Sequence, residues 1–476
     1  MPRPVFSPCG WPPSYHKWLP AAPLHGRHDL PELTQVAPCL KLVQYNANDV
    51  AAACGLLPSP FGSSMTAASP ASPASKGLLH SPAVFLMVLA FVNWLGFASW
   101  TALLNNFAKE AAGFTGQYIG ILQSVREIPG FLAFTAIILF WFMREQMLAY
   151  VSLITLGIGV AITGYFPTLG GLLLTTTVMS LGFHYYETAQ QALQLQLLPK
   201  AEAPRLLGRI AGASAAAQLI AFGSIALIWK LFQPGYITIF VVAGLVTIAL
   251  TLATWLTFPR FQGTVPQNKG FVLRKRYWLY YALTFMSGAR RQIFMAFGGF
   301  LLVERFGYDV SATATLLLAT YGINTFVGPM LGRLVGTVGE RATIQMENIS
   351  LIAVFVGYAL ASHGHFAGWG VFVAGALFIV DGVFFTLTLA QRTYFQKIAD
   401  PADIAPTSAV AFTINHIAAV FLPVTFGLLW IRDPAIVFYI GAAVATVSLS
   451  LAFLVPRHPV PGQETVLSPA LPVAAE

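Results

Sequence analysis

Long apolar segments, separated by short polar loops, dominate the chain from residue 82 to residue 456. A helix of about 20 apolar residues is long enough to cross the hydrocarbon core of a bilayer, which is about 30 Å thick. The pattern therefore predicts an all-α polytopic membrane protein with twelve transmembrane helices. The predicted spans cover residues 82–104, 116–143, 146–166, 169–198, 206–231, 236–258, 277–303, 311–335, 341–361, 366–391, 404–430 and 434–455.

The fourth span, residues 169–198, differs from a uniformly apolar helix because its second half is polar. Glu187, Gln191 and Gln194 follow one another at steps of four and three residues, which places them along one side of a helix. A carboxylate at membrane depth costs several kcal/mol unless it faces protein or water. We therefore expect this helix to line a polar cavity.

Composition and charge agree with a membrane protein. Hydrophobic residues make up 56% of the chain and charged residues only 9%, whereas a soluble globular protein carries about 25% charged residues. The net charge of +8 does not indicate nucleic-acid binding, because most Lys and Arg residues lie in short loops between the spans. All three cysteines, Cys9, Cys39 and Cys54, precede the first span. Their spacing suggests neither a disulfide framework nor a metal site, and we expect no cofactor.

The loops alternate in charge along the chain. The loops after spans two, four, six, eight and ten are much richer in Lys and Arg than the loops between them. Basic loops remain on the cytoplasmic side of a membrane, so both termini are expected in the cytoplasm. The expected location is the inner (plasma) membrane of a bacterium, and the expected form is a monomer.

The chain also resembles itself at an offset of 200 residues. This shift aligns Pro129 with Pro329, Gly170 with Gly370, Gly182 with Gly382, Thr188 with Thr388, Gln191 with Gln391 and Gln196 with Gln396. One constant offset predicts two pseudo-symmetric six-helix bundles in the same orientation. The predicted organisation is a flexible Pro/Ser/Ala-rich tail (1–80), a first bundle (81–258), a basic linker (259–276), a second bundle (277–456) and a C-terminal tail (457–476).

A family resemblance follows from these features and from one loop. The segment GPMLGRLVGTVGER, between spans eight and nine, resembles the glycine-and-charge loop of the major facilitator superfamily of secondary transporters. Gly336 stands where an Asp is usual. The resemblance implies a cavity lined by spans one, four, seven and ten, which opens alternately to each side of the membrane. The positions that match the loop, and that the resemblance implies in gating, are Gly328, Gly332, Arg333, Gly339, Glu340 and Arg341.

Charged residues within the spans are the candidates for chemistry. Arg290 lies roughly 20 Å into span seven at about 1.5 Å per residue, and Asp381 lies at a similar depth in span ten. We expect proton coupling at Glu127, Glu187 and Asp381, because a carboxyl group that changes neighbours between two conformations binds and releases a proton. The alternative for each is a permanent ion pair that holds helices together.

Two adjacent arginines and several aromatic side chains suggest how a solute is bound. Arg290 and Arg291 point about 100° apart, so one is expected to face the cavity and the other a neighbouring helix. A guanidinium suits carboxylate or phosphate groups, while internal salt bridging is the alternative. Helix packing is the alternative for the aromatic residues. The candidate substrate-binding residues are Asn93, Trp94, Trp100, Tyr186, Glu187, Gln191, Arg290, Arg291 and Asp381.

These observations predict a secondary active transporter, a symporter or an antiporter, for a small organic solute of anionic or amphipathic character, with the proton as coupling ion. One alternative is a polytopic membrane enzyme that acts on lipid. The spans hold no cysteine, no HExxH motif and no paired-Asp motif, so an enzyme is not expected. The other alternative is a transporter-like sensor without flux, which only the long N-terminal tail favours.

Overall fold

The computed structural model describes residues 80–140, 142–199, 202–261, 273–400 and 403–468, and within these ranges the chain is helical and forms no β-strand. Residues 1–79 of the predicted tail, residues 262–272 of the predicted linker and residues 469–476 lie outside the described ranges. All twelve predicted spans are helices, which confirms the predicted fold class.

The first half of the structure consists of helices α1 to α6, with a short 3-10 segment inside α2. They are α1 (Pro82–Glu110), α2 (Gly116–Phe131, Leu132–Thr135 and Ala136–Leu139), α3 (Glu145–Thr163), α4 (Leu169–Leu197), α5 (Ala203–Phe232) and α6 (Tyr236–Thr257).

The second half repeats this arrangement with helices α7 to α12. They are α7 (Trp278–Gln292, Ile293–Gly298 and Gly299–Phe306), α8 (Val310–Val338), α9 (Glu340–Ser362), α10 (Ala367–Trp369, Gly370–Phe384, Phe385–Thr388 and Leu389–Ile398), α11 (Ile404–Trp430) and α12 (Pro434–Ala452).

Three of the twelve helices differ from the others in length or in apolar composition. Nine helices of the described chain are long and apolar enough to cross a membrane by length and composition. The other three, α2, α4 and α7, carry Arg126 and Glu127, His184 and Glu187, and the arginine pair of span seven. Polar residues at membrane depth persist where they face the interior of a bundle. These three helices therefore bring charged and ionisable side chains into the interior of the protein.

Several helices depart from α geometry close to a buried charge. Pro129 interrupts α2 and is followed by the 3-10 turn Leu132–Thr135, because proline lacks the N–H that the helix needs. Helix α7 widens into a π-helix at Ile293–Gly298, directly after the arginine pair. Helix α10 tightens to 3-10 geometry at Phe385–Thr388. Such breaks free backbone groups and often mark functional positions.

The two halves meet at one end of the molecule. We call the end that carries the loops after α2, α4, α6, α8 and α10 the basic end, and the other the opposite end. Helix α2 packs on α11 and α5 packs on α8. Asn106 of α1 donates a hydrogen bond of 2.7 Å to the carbonyl of Tyr308, and Ser311 of α8 donates one of 3.0 Å to the carbonyl of Ala226. These contacts between halves lie at the opposite end.

The closest approach between the halves depends on glycine. A Cβ atom on Gly120 of α2 would stand 2.2 Å from the carbonyl oxygen of Pro423 in α11, and one on Gly116 would overlap the Trp430 ring. At the basic end, by contrast, a Cβ atom on Gly208 or Gly212 of α5 would meet no atom within 4 Å. The halves are therefore tightly packed at the opposite end, near Gly116 and Gly120.

Most of the segment that resembles the family signature is helical in the structure, and only one residue, Gly339, lies between α8 and α9. Gly339 joins α8 to α9 with a φ of +84°, a conformation that side chains rarely adopt. Glu340 is buried and forms an ion pair of 2.7 Å with Lys397 at the end of α10. Arg341 lies over the ring of Phe453 beyond α12. These contacts tie α8, α9, α10 and α12 together at the basic end.

A second set of contacts fixes the basic end of α7 and α11. Arg274 donates two hydrogen bonds, of 3.1 and 3.2 Å, to the Asp403 carboxylate. These bonds hold the pKa of Asp403 below its usual range. Part of the predicted C-terminal tail is packed there as well, since Tyr394 of α10 donates a hydrogen bond to the carbonyl of Glu464.

Replacing Gly120 with leucine tests the close approach of α2 and α11. The added side chain would overlap the backbone of α11, and overpacking of this kind costs about 1–3 kcal/mol. We expect Gly120→Leu to lower the unfolding temperature of the purified protein in detergent. Gly212→Leu is the matched control, because its side chain meets open space. Equal unfolding temperatures for the two variants would contradict the close packing.

Candidate functional site

The side chains of the two adjacent arginines of α7 point into different halves of the protein. Arg290 points into the second half, where its Nη2 lies 3.0 Å from Glu347 Oε1 and donates a hydrogen bond of 3.1 Å to Thr388. Arg291 points toward the first half, where its Nη2 lies 3.5 Å from Glu127 Oε2. The Arg290 side chain is 5% exposed and that of Arg291 is 30% exposed. Arg291 therefore reaches the space between the halves, and Arg290 does not.

Glu127 lies at the centre of the contact between the halves. Its neighbours come from α2, α4, α7 and α11, and each sits near the middle of its helix. Glu127 forms a buried ion pair with Arg126, and its Oε2 lies 3.5 Å from His416 Nε2. His184 packs edge to face against His416, with ring centroids 5.5 Å apart. We call this set the junction cluster: Arg126, Glu127, His184, Arg291 and His416.

The backbone of α2 is shaped to hold the junction cluster. Ser180 of α4 donates a hydrogen bond to the carbonyl of Arg126, which ties α4 to α2 at this depth. A Cβ atom on Gly130 would lie 2.5 Å from the His416 ring and 2.6 Å from His184 Nε2. Gly130 therefore leaves the room in which the two imidazoles meet.

A second buried charge cluster lies entirely in the second half. Thr388 donates a hydrogen bond of 2.9 Å to Glu347 Oε1, which is the oxygen paired with Arg290. Asp381 of α10 is 2% exposed, and its Oδ2 has no hydrogen-bond partner in the described part of the chain. This cluster places two carboxyl groups, Glu347 and Asp381, near one guanidinium. A cavity of about 10 Å³ beside Arg290 and Glu347 has room for roughly one water molecule.

The space between the halves at the basic end is polar. Glu187 of α4 is half-buried and lies within electrostatic reach of Arg291 of α7 and Arg392 of α10. Gln191, one turn further along α4, is exposed. Trp94 of α1 is half-buried and packs edge to face on Phe183, with ring centroids 5.7 Å apart. We call the region that Glu187, Arg291 and Arg392 share between α4, α7 and α10 the basic-end opening.

Three of the predicted substrate-binding residues are enclosed in this conformation. Asn93 and Tyr186 have no exposed surface, and Trp100 is 1% exposed. Their side-chain polar atoms have no hydrogen-bond partner among the described residues. A buried polar group without a partner costs about 1–3 kcal/mol. Helices α1 and α4 therefore hold polar groups whose hydrogen bonds are not made in this state.

Some residues of the site were not among the sequence candidates. His416 of α11 and Glu347 of α9 lie on helices outside the four that the family resemblance assigns to the cavity. The only sequence signal for either is a polar residue inside an apolar span. The partners of Glu127 and Arg290 come from helices distant in the chain, so they follow from tertiary packing.

Comparison with known proteins agrees with this architecture. A family model described as Major Facilitator Superfamily matches residues 86–423. No curated protein sequence matches the chain. The structure is similar to the nucleoside transporter NupG, with 15% identity, a TM-score of 0.64, and coverage of 78% of this chain and 98% of that one.

Two further solved structures show the same fold. One is a bacterial homologue of the human lysosomal transporter Spinster, inward-facing and occupied, with 15% identity and a TM-score of 0.61; the match covers 78% of this chain and 95% of that one. The other is a POT family transporter in complex with 5-aminolevulinic acid, with 14% identity and a TM-score of 0.62; the match covers 78% and 94%.

The Arg290–Glu347 pair makes a stability prediction. Removing one partner of a buried ion pair leaves the other charge uncompensated, which costs about 3–5 kcal/mol. We expect Arg290→Gln and Glu347→Gln each to lower the unfolding temperature, and the double variant to recover much of the loss. Arg291→Gln is the comparison, because that side chain is partly exposed and should cost less. Single variants with unchanged unfolding temperatures would show that the pair does not stabilise the fold.

Proposed function

The chain belongs to the major facilitator superfamily, and from that premise we propose that it is a secondary active transporter of a small organic anion, driven by protons. The coarser conclusion, an integral membrane transporter, follows from the family and the fold. The observation that carries the proposal is the basic-end opening, to which both halves contribute and where the Arg291 side chain is 30% exposed.

An anionic solute suits the chemistry of Arg291. Its Nε and Nη2 are buried and have no hydrogen-bond partner in the described part of the chain. The nearest carboxylate, on Glu127, is already paired with Arg126. A guanidinium donates parallel hydrogen bonds to a carboxylate or a phosphate. We propose that the half-buried Trp94 and the exposed Gln191 add an aromatic surface and an amide to the solute site. One structural neighbour, a POT family transporter, is in complex with 5-aminolevulinic acid, a small molecule that carries a carboxyl group.

Proton coupling suits the carboxyl groups that lack a dedicated cation. Arg290 forms an ion pair with Glu347, and Asp381 shares the same guanidinium within electrostatic reach, so two buried carboxyl groups depend on one positive charge. A buried carboxylate without a counter-charge is costly, and a bound proton removes that cost. Glu187 has Arg291 within electrostatic reach, and an arriving anion would compete for that arginine. We propose that Asp381 carries the coupling proton and that Glu187 exchanges with substrate at Arg291.

The charge of the loops supports an orientation. We propose that the basic end faces the cytoplasm of a bacterial cell, with both termini on that side of the plasma membrane. The conformation described here would then be open to the cytoplasm. The matching loop (Gly328, Gly332, Arg333, Gly339, Glu340 and Arg341) lies at that end, where we propose that it limits how far the second half can tilt. A monomer suffices for this cycle, because both halves belong to one chain.

Transport by the reconstituted protein tests the substrate site. Proteoliposomes would be screened with small carboxylates and phosphates, and the solute that the wild type accumulates would be used for the variants. We expect Arg291→Gln and Glu187→Gln each to reduce uptake at least about tenfold, since a hydrogen bond to a charged group contributes about 1.5–3 kcal/mol.

Two further variants show whether the loss of any arginine or glutamate charge reduces uptake. Arg432→Gln, in the exposed loop at the opposite end, and Glu202→Gln, exposed before α5, should transport like the wild type. Normal uptake by both Arg291→Gln and Glu187→Gln would contradict the assigned site.

A separate experiment tests the proton site. Asp381→Asn mimics the protonated carboxyl group permanently. We expect this variant to lose uptake driven by an inward proton gradient, and to retain exchange of labelled for unlabelled solute across the membrane, because exchange needs no net proton movement. If Asp381→Asn accumulates solute under a proton gradient as the wild type does, the coupling proton binds elsewhere.

A further inference from the structure

Three potential metal ligands converge within the junction cluster. A carboxylate oxygen of Glu127 and one ring nitrogen each of His184 and His416 all lie within 4.8 Å of one another. All three residues are buried, with exposures of 3%, 5% and 3%. Glu127 Oε2 has no hydrogen-bond partner among the described residues. Three ionisable side chains from helices α2, α4 and α11 thus share one enclosed volume.

The hydrogen bonds of the imidazoles determine which atoms face this volume. His184 Nδ1 lies 3.0 Å from the carbonyl oxygen of Ser180, and His416 Nδ1 lies 2.8 Å from that of Phe412. Ser180 Oγ also lies 3.0 Å from His184 Nδ1, but it donates its hydrogen to the carbonyl of Arg126. Because a carbonyl oxygen only accepts, we assign the ring hydrogen of each histidine to Nδ1. In the neutral rings each Nε2 is then a lone-pair acceptor. His416 Nε2 faces Glu127 Oε2 at 3.5 Å, which places two acceptors opposite each other without a hydrogen between them.

Two imidazole nitrogens and one carboxylate oxygen form a donor set for a cation. Imidazole suits zinc, nickel, copper and iron, and a zinc ion with three protein ligands keeps a fourth position for water. Ligating histidines almost always donate their other ring N–H to a carbonyl or carboxylate, and both histidines here already do so. Gly130, which has no Cβ to separate the two rings, provides the space.

We propose that Glu127, His184 and His416 bind a divalent transition-metal ion, of which zinc is the probe, and that this ion links the two halves of the protein. Two cationic side chains face the site, and their positions are compatible with it. Arg126 pairs with the other carboxylate oxygen, Oε1. Arg291 is 3.5 Å from Oε2 without a hydrogen bond and is 30% exposed, so it turns into the basic-end opening when the ion enters.

The consequence of such a site is conformational. Glu127 and His184 belong to the first half and His416 belongs to the second half. An ion held by all three opposes any movement that separates α2 and α4 from α11. Bound metal therefore stabilises the conformation that is closed at the opposite end, and it acts as an inhibitor of the transport cycle. Binding itself is independent of the proposed substrate and coupling ion.

Thermal unfolding of the full-length protein tests the site. Protein purified in detergent and washed with chelator would be unfolded with and without zinc chloride. An ion that binds only the folded state raises stability, and we expect the unfolding temperature of the wild type to rise by about 3 °C or more at saturating zinc. His184→Gln and His416→Gln should lose this rise.

The control is another histidine that takes part in a polar contact. His363→Gln removes the imidazole whose Nε2 lies 2.9 Å from Asp433 in an exposed loop pair, and it should keep the full zinc-dependent rise. Histidines at positions 16, 25 and 28 and the three cysteines are present in every variant, so only the difference between variants counts. No rise in the wild type, or the same rise in all variants, would overturn the proposal.

A spectroscopic measurement covers the case in which a histidine variant fails to fold. Cobalt(II) bound by four nitrogen and oxygen ligands absorbs visible light far more strongly than hydrated cobalt. We expect one equivalent of cobalt to give this strong spectrum with the wild type, and zinc to remove it. A wild-type spectrum indistinguishable from that of hydrated cobalt would exclude the site regardless of how the variants behave.

Discussion

The structure depends on one carboxylate, Glu127, which is buried at the contact between two halves of a membrane protein. An isolated charge at this depth costs several kcal/mol, so Glu127 requires compensating groups. One of them, Arg126, is its neighbour in α2, and the other, Arg291, comes from α7 of the other half. His416 of α11, also in the other half, packs beside the carboxylate. The electrostatic requirement of a single side chain therefore links two otherwise separate helical bundles at mid-membrane.

Two features beside Glu127, the glycines of α2 and the π-helix of α7, allow the halves to be linked and still to move relative to each other. Glycine at positions 116, 120 and 130 lets α2 approach α11 closely, so the halves are in direct contact from the opposite end down to the junction cluster. On the basic side of that cluster, Glu187 of α4 lies within electrostatic reach of Arg291 and Arg392 of the other half. The π-helix at Ile293–Gly298 begins two residues after Arg291. The part of α7 that presents Arg291 is thus next to a segment with irregular backbone hydrogen bonds, where small changes of direction are inexpensive.

The fold was largely predictable from the sequence, and the site was predictable only in part. Hydropathy located every helix, although α1 continues to Glu110, beyond its predicted end at residue 104, because its last turn packs inside the protein and needs no lipid. Depth along the helix singled out the charged positions in α4, α7 and α10, and their role stays a prediction. Helical periodicity also implied that the side chains of Arg290 and Arg291 point in different directions, but not which of them pairs with Glu347.

Pairings between helices far apart in the chain, such as that of Glu127 with His416, are set by tertiary packing and leave no local pattern. The enclosure of Asn93, Trp100 and Tyr186 belongs to one conformation, which a sequence does not specify.

The most direct test of the account is the relative movement of the two halves. Spin labels would be placed at exposed positions, one pair at the basic end (Phe142 and Val338) and one pair at the opposite end (Phe166 and Trp369), and the distances within each pair measured by pulsed electron resonance. If the charge on Glu127 holds the halves together, Glu127→Gln should shorten the distance at the basic end and lengthen the distance at the opposite end relative to the wild-type residue. Unchanged distances at both ends, or changes of the same sign, would contradict an account in which Glu127 joins two rocking halves.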